Sequence, residues 1–369
     1  MENWFDVDKA GLASILERRG KAFALFELVQ NAWDAGPSSV VITLEPLAGA
    51  PFARLKVEDD SPEGWTDLRD AFTMFGRSRR AADATKRGRF CLGEKLVLAL
   101  CREAEIITTT GAVRFSDTGR RQFSERRERG TLFIGQIRMT REELRGIESE
   151  ALRLIPPVST TFNGSPLARP TFLKTFEAKL PTEIADVGGN LRRGVRLAQV
   201  EAFVADGTGD VLELGIPVCA ADWPWRLNVL QKVPLGMERD SVAEAFRRAL
   251  QVAAVNALAD TIDAEHAAAP WASEAIGDSR ITPAALRHVV KQRFGDRAVV
   301  GVPGDPIANA TAEAAGCEVI HGGAFSADAW SNIRKHATVP STSQAFPTPR
   351  PSPQGEPIKV CPLCKQQVM

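Results

Sequence analysis

The chain has no tyrosine, and none of its four histidines precedes His266. The first absence excludes cutting DNA through a tyrosyl–phosphate bond with this chain alone. The second excludes a histidine nucleophile or a histidine-based triad in the first 265 residues. No apolar run reaches the roughly 20 residues that a bilayer-spanning helix needs, so no membrane association is expected. The opening "MENWFDVDKAG" carries acids and lacks an apolar core, unlike a signal peptide. Charge of one sign is also missing. The 46 Lys and Arg balance the 46 Asp and Glu, so nucleic-acid binding would need local patches. Cysteine is sparse. Cys91, Cys101, Cys219 and Cys317 are scattered, and Cys361 and Cys364 form "CPLC". That usage fits a reducing cytoplasm better than a disulfide framework.

The 369 residues have ordinary globular composition and suffice for two or three domains. Apolar spacing of three and four over residues 8–34 predicts one or two helices, with Gly20 as an interruption and "AGPSS" as the stop. "VVITLEPL" and "ARLKVEDD" read as a strand pair around "AGAP", and "TDLRDAFTMFG" as a short helix. "LGEKLVLALCRE" reads as a helix, and "AEIITTTGAVRFSD" and "RGTLFIGQIRM" as strands. "TREELRGIESEALRLI" reads as a helix capped by Thr140 and Glu143. A strand-rich stretch runs to about residue 238. Ser241 and Glu244 then form a capping box before one long helix, roughly 241–267. Thr282 and Pro283 open another helix. "AVVGVPG" and "CEVIHGG" flank "DPIANATAEAAG" as a small α/β unit without the Lys-Ser/Thr of a P-loop. Residues 339–358 are a solvated Pro- and Ser-rich linker.

The stretch "FELVQNAWDAG" places Glu27, Asn31 and Asp34 on one helical face. A carboxylate there can orient and deprotonate a water, and an amide oxygen can hold a hard cation such as Mg²⁺. A capped helix with its wet side outward explains the same stripe. Three further stretches bear on the choice. "LKVEDDSPEGW" is a strand ending in acids and a turn. "KRGRFCLGEKLVLAL" sets Gly88 and Gly93 at the entry to an apolar helix, where backbone N–H groups can meet phosphate. "RGTLFIG" starts a strand with Gly-Thr.

In this order and spacing, over roughly residues 10–138, the four stretches resemble the GHKL ATPase superfamily. That superfamily includes the ATPase component of DNA gyrase, MutL, the ATPase component of topoisomerase VI, ninety-kilodalton heat-shock chaperones and sensor histidine kinases. The wording also resembles ATP-binding proteins of phage and prophage genomes. The resemblance implies an α+β fold in four parts. Residues 1–145 form a Bergerat ATP-binding α/β sandwich. Residues 146–240 form a transducer-like α/β domain (ribosomal S5 domain 2-like). A helix plus a small C-terminal α/β region occupies 241–338, and a Pro-rich linker and CxxC tail occupies 339–369.

The resemblance also implies roles. Glu27 matches the general base, Asn31 the Mg²⁺ ligand and Asp34 the rest of that signature. Asp59 matches the acceptor of the adenine amino group, and Thr131 the hydroxyl at that end. Gly88 and Gly93 match the phosphate-loop glycines, and Gly64 and Lys95 join the nucleotide-binding set. Residues 76–89 stand at the ATP lid, where the basic side chains either meet phosphates or form a solvated run. Lys232, after the strand "WRLNVL", resembles the second-domain lysine that reaches the γ-phosphate; an exposed strand lysine is the alternative. "FNGSPLARP" resembles an opening hairpin of that second domain.

Two positions depart from the pattern. Asp-x-Gly-x-Gly reads Asp59-Asp60-Ser61-Pro62-Glu63-Gly64, and Cys91 replaces a lid glycine. Cys361 and Cys364 have zinc spacing without a second pair, so a Zn²⁺ site completed by another chain and a free thiol pair both stand. The function implied is a Mg²⁺-dependent, ATP-hydrolysing homodimeric switch in DNA metabolism. Two alternatives remain: a chaperone-like or regulatory ATPase acting on protein clients, and a nucleotide-binding module with little turnover.

Overall fold

The structure, a computed structural model, describes residues 7–18, 20–74, 82–88, 92–186, 190–236 and 242–347. Helix α1 (Lys9–Glu17) is capped by Asp8, whose carboxylate accepts from the Ala10 N–H at 2.8 Å. Gly20, at φ +78°, separates it from α2 (Ala22–Asp34). Phe23, Ala24, Leu25, Leu28, Val29 and Ala32 of α2 are buried, and so are Glu27, Gln30 and Asp34. The helix is therefore enclosed on most sides. Its polar stripe is not a wet face, and that alternative falls.

Alternation explains the first sheet. In β1 (Ser39–Pro46) the buried positions are Val40, Ile42 and Leu44; in β2 (Phe52–Asp59) they are Ala53, Leu55, Val57 and Asp59. Asp59 thus continues the inward set. α3 (Gly93–Leu100) ends where β3 (Cys101–Thr108) begins, three residues before the expected strand. β4 (Gly111–Ser116), β5 (Gly119–Phe123) and β6 (Leu132–Arg138) follow. α4 (Arg141–Ala151) carries the expected capping box of Thr140 and Glu143. The expected helix near residue 68 is a single 3-10 turn, Leu68–Ala71.

β7 (Ser159–Phe162) and β8 (Ser165–Pro166) complete an eight-stranded sheet in the order β5-β4-β3-β6-β2-β1-β7-β8. All its neighbours are antiparallel except β1 and β7. The hairpin expected to open the second domain therefore extends the first sheet. α2 packs on β1 and β2 and against α3 and α4, with α1 on α3.

A second sheet has the order β12-β11-β13-β10-β9, formed by β9 (Phe172–Ala185), β10 (Leu191–Val204), β11 (Gly209–Glu213), β12 (Ile216–Ala221) and β13 (Trp225–Val229). Every residue of β11 is buried, including Asp210 and Glu213. Both sheets lie within one compact unit, Met1–Ala253.

The second unit, Ala254–Met369, begins inside α5 (Glu244–Leu258). The long helix expected over 241–267 is broken there. A 3-10 turn at Ala259–Thr261 follows α5, and Asp263 caps a new helix, α6 (Ala264–Ala268), by accepting from His266 N–H. Short polar side chains favour caps over helix interiors. Then come α7 (Pro270–Ile276) and α8 (Pro283–Phe294), the latter capped by Thr282 with Pro283 first, as expected. β14 (Ala298–Val300), α9 (Pro306–Ala314) and β15 (Glu318–Ile320) form the small α/β unit, its strands parallel. α10 (Ala327–Lys335) and α11 (Thr342–Ala345) close it. Ser241, Cys91, Cys361, Cys364 and parts of the lid and linker stretches lie outside the described residues.

Candidate functional site

Register brings Asp59 and Thr131 together. Glu58 pairs with Leu132, and the Asp59 N–H donates to the Thr131 carbonyl at 2.9 Å. Thr131 shares the inward parity of Phe133 and Ile137. The Asp59 carboxylate is buried and accepts from the Ser61 N–H at 2.9 Å. Burial raises its carboxyl above the ordinary aspartate range, against hydrogen bonding from Ser61 and Thr131. Beside it, Thr131 Oγ1 is buried without a hydrogen-bond partner, while the buried Ser61 hydroxyl faces the Asp59 carboxylate. A buried hydroxyl without a partner is costly, so this cluster suits a polar ligand edge that would satisfy it.

Asp59 and Thr131 line a cleft of about 30 Å³ together with Leu28, Asn31, Ala32, Val57, Trp65, Glu94, Ile106 and Phe133. Its lining joins an acid and a hydroxyl (Asp59, Thr131), apolar and aromatic side chains, and the hydrogen-bonded Asn31 and Glu94.

The Ser61 departure has a structural answer. The described non-glycine residues with positive φ are Asn163, Leu214 and Ala337, so Ser61 does not need a left-handed backbone. Gly64 does, at φ +59°, and a Cβ there would meet Thr108 Oγ1 at 2.7 Å and the Gly130 carbonyl at 2.9 Å. The displaced glycine sits where the turn requires one.

The α2 stripe docks the segment that leads into α3. Asp34 accepts from the Arg87 N–H at 3.2 Å and the Gly88 N–H at 3.0 Å, while Lys86 Nζ donates to the Asp34 carbonyl. The Gly88 amide thus meets a carboxylate here. Asn31 Nδ2 donates to Glu94 Oε2 at 2.7 Å, and Lys95 Nζ pairs with the other oxygen of Glu94. Glu27 lies against Gly93, where a Cβ would fall 2.0 Å from Glu27 Oε2. Glu27, Asn31 and Asp34 therefore face Gly93, Glu94 and the Arg87 and Gly88 amides in turn.

Lys232 is fully buried, so the exposed-strand alternative fails. It lies past the end of β13. Its Nζ donates to the Asp83 carbonyl at 2.7 Å, its N–H to the Ala84 carbonyl at 2.8 Å, and its carbonyl accepts from Thr182 Oγ1 at 2.8 Å. It is held beside the described part of the lid stretch, residues 82–88.

Several contributors escaped sequence reading: the Ser61 hydroxyl, Trp65, Glu94, and the buried ion pair of Arg87 with Glu213. Glu213 did leave a signal. It is the lone acid in the apolar run "VLELGIPV". Among the described residues, no group of three or more His, Cys, Asp or Glu side chains could hold a metal ion. The described residues therefore offer no support for zinc. A magnesium ion held by one amide and by phosphates would not form such a group. Asn31 beside the cleft fits that mode through its amide oxygen.

No protein-family model matches the sequence. No curated protein matches it either. Among solved structures, the ATPase region of Saccharomyces cerevisiae topoisomerase II is similar over 61% of this chain and 78% of that one, with 10% identity and a TM-score of 0.40. The same region bound to ICRF-187 (dexrazoxane) is similar over 61% and 79%, with 10% identity and a TM-score of 0.39.

Proposed function

We propose that this chain binds ATP with Mg²⁺ in the Asp59–Asn31 cleft and hydrolyses it to ADP and phosphate. The observation that carries the reading is the buried Asp59 carboxylate beside Thr131 Oγ1, a buried hydroxyl without a partner, on the lining of one cleft. A purine with an exocyclic amino group donates to a carboxylate and offers ring nitrogens to a hydroxyl, so it satisfies Asp59 and Thr131 at once. The cleft as it stands has room for about two waters, so the base enters by displacing side chains, with the half-buried Trp65 as the first candidate.

At the other end, Glu27 takes a proton from the attacking water, whose oxygen bonds to the γ-phosphorus as the bond to the bridging oxygen of ADP breaks. Asn31 would hold Mg²⁺ through its amide oxygen, and the ion would neutralise phosphate charge. Asp34 keeps the loop on α2 through the Arg87 and Gly88 amides. Lys232, buried beside residues 82–88, would pair with the γ-phosphate and lose that partner on hydrolysis. That gives the second sheet a way to distinguish ATP from ADP. On this reading the chain is an ATP-gated homodimeric switch, with DNA as the effector.

The test is ATP binding and turnover by the wild type, Glu27→Ala and Asp59→Asn, with and without Mg²⁺ and duplex DNA. Turnover lost in Glu27→Ala and affinity lost in Asp59→Asn support the assignment. A wild type that binds no ATP overturns it. Stimulation by a protein rather than by DNA would favour a client-directed ATPase. A mass that stays monomeric with a non-hydrolysable analogue would remove the dimer.

A further inference from the structure

One carboxylate in the second sheet holds both segments that carry the cations of the site. Glu213 ends β11 and is fully buried. Its Oε2 takes the Arg87 guanidinium in a buried ion pair, and its Oε1 accepts from the Val233 N–H at 2.8 Å. Val233 follows Lys232, and Arg87 belongs to the segment that Lys232 grips through the Asp83 and Ala84 carbonyls. The same Arg87 residue gives its backbone N–H to Asp34 on α2. A continuous path therefore runs from α2 through residues 82–88 to Glu213 and the turn after β13.

Stability alone is a poor reason for this arrangement. Desolvating two charges costs several kcal/mol per ion, and apolar residues of similar size often do as well or better in such places. Two neighbours in β11, Val211 and Leu212, are of that apolar kind. What an apolar residue cannot do is bind a guanidinium from one segment and an amide from another.

We infer that Glu213 is a positioning residue: it fixes the Lys232 turn to residues 82–88, so that a change in that segment moves the second sheet. The inference rests on the proposed nucleotide site for its consequence, although the linkage itself exists without nucleotide.

The test uses the full chain with Glu213→Gln, which keeps an oxygen for Val233 and removes the charge facing Arg87. Asp210→Asn serves as a destabilised reference that leaves the Glu213 contacts in place. Amide hydrogen exchange is first read without nucleotide. In Glu213→Gln, exchange should rise at residues 82–88 and 231–235 together, with the interior of the first sheet unchanged. ATP turnover is read second: kcat should fall by roughly tenfold or more while ATP affinity stays within about twofold, because misplacement by about an ångström affects the reacting geometry more than base binding. Replacing Arg87 as well, as Glu213→Gln with Arg87→Gln, should recover part of the loss by restoring a neutral pair.

Unchanged exchange at residues 231–235 in Glu213→Gln overturns the inference. So does an equal loss of kcat in Asp210→Asn at equal loss of stability, since that would make Glu213 merely structural. If the wild type binds no ATP, the nucleotide assignment fails on its own, and the exchange comparison still decides whether Glu213 joins the two segments.

Discussion

Gly93 and Glu27 touch: a Cβ on Gly93 would fall 2.0 Å from Glu27 Oε2 and 2.8 Å from its carboxyl carbon. The atoms displaced by such a Cβ are the far end of a flexible side chain. The fold should therefore survive, while the carboxylate should not keep its place. Gly93→Ala is expected to retain its unfolding midpoint within a few degrees and to lose roughly a hundredfold in ATP turnover, the scale of a small misplacement of a reacting group. Thermal unfolding and steady-state kinetics on one preparation check both halves. Full turnover would mean that the Glu27 carboxylate does not act from this position.

Asp59→Asn separates ligand recognition from stability. Burial raises the Asp59 carboxyl, so the folded state holds its proton more tightly than the unfolded chain. The resulting contribution favours folding at pH below the unfolded value near 3.8 and is lost as pH rises through the higher folded value. Ionised Asp59 thus weighs against folding at neutral pH until a ligand donates to it. The asparagine variant should be at least as stable as the wild type at pH 7 without nucleotide and should lack this part of the pH dependence. Its ATP affinity should fall by about tenfold or more, since hydrogen bonds to charged groups contribute about 1.5–3 kcal/mol. Urea titrations across pH and nucleotide titrations supply the two measurements.

Asp210 sits between two guanidiniums. Arg153 Nη2 lies 2.6 Å from Oδ1, and Arg226 Nε lies 3.3 Å from Oδ2 without hydrogen-bond alignment. Burial lowers the Arg226 pKa and the Arg153 charge lowers it further, with Asp210 opposing both. Asp210→Asn leaves the largely buried Arg226 without its carboxylate beside Arg153, which keeps its pair with Glu150 at 2.8 Å. The expected loss is about 1–3 kcal/mol of stability, the cost of leaving a buried charged group short of a partner, read as a lower urea midpoint. A midpoint unchanged within error would mean that the two arginines relax to solvent.

The parts of this site that sequence reached are those whose chemistry repeats with local geometry. Helical spacing puts Glu27, Asn31 and Asp34 on one face of α2; Asp59 and Thr131 stand out in the sequence only through the resemblance of their motifs, and strand register then sets them side by side. The parts it missed depend on contacts far apart in the chain. Glu94 joins Asn31 across 63 residues, and Glu213 joins Arg87 across 126. The β7–β8 hairpin was legible as a hairpin because Asn163 and Gly164 both take positive φ. Its place on the first sheet was not, because a parallel partner such as β1 carries no local mark. The broken helix after Leu258 went unseen because alanine continued past the polar residues that divide it.

Lys232→Met tests the assigned γ-phosphate contact. Methionine keeps much of the buried stem and removes the donor that now meets the Asp83 carbonyl. Leaving that carbonyl short of a partner costs on the order of 1 kcal/mol, so the variant should fold. If Lys232 stabilises charge on the transferred phosphoryl group, kcat should fall by about two to three orders of magnitude, with the affinity for ADP unchanged. ATP and ADP affinities should also become more alike, because the group that distinguishes them is gone. A merely structural lysine predicts the opposite pattern: a modest loss of stability, a proportionate loss of active protein, and the same ratio of ATP to ADP affinity as the wild type. The affinity ratio is the measurement that separates them, since it does not depend on how much of the variant is folded.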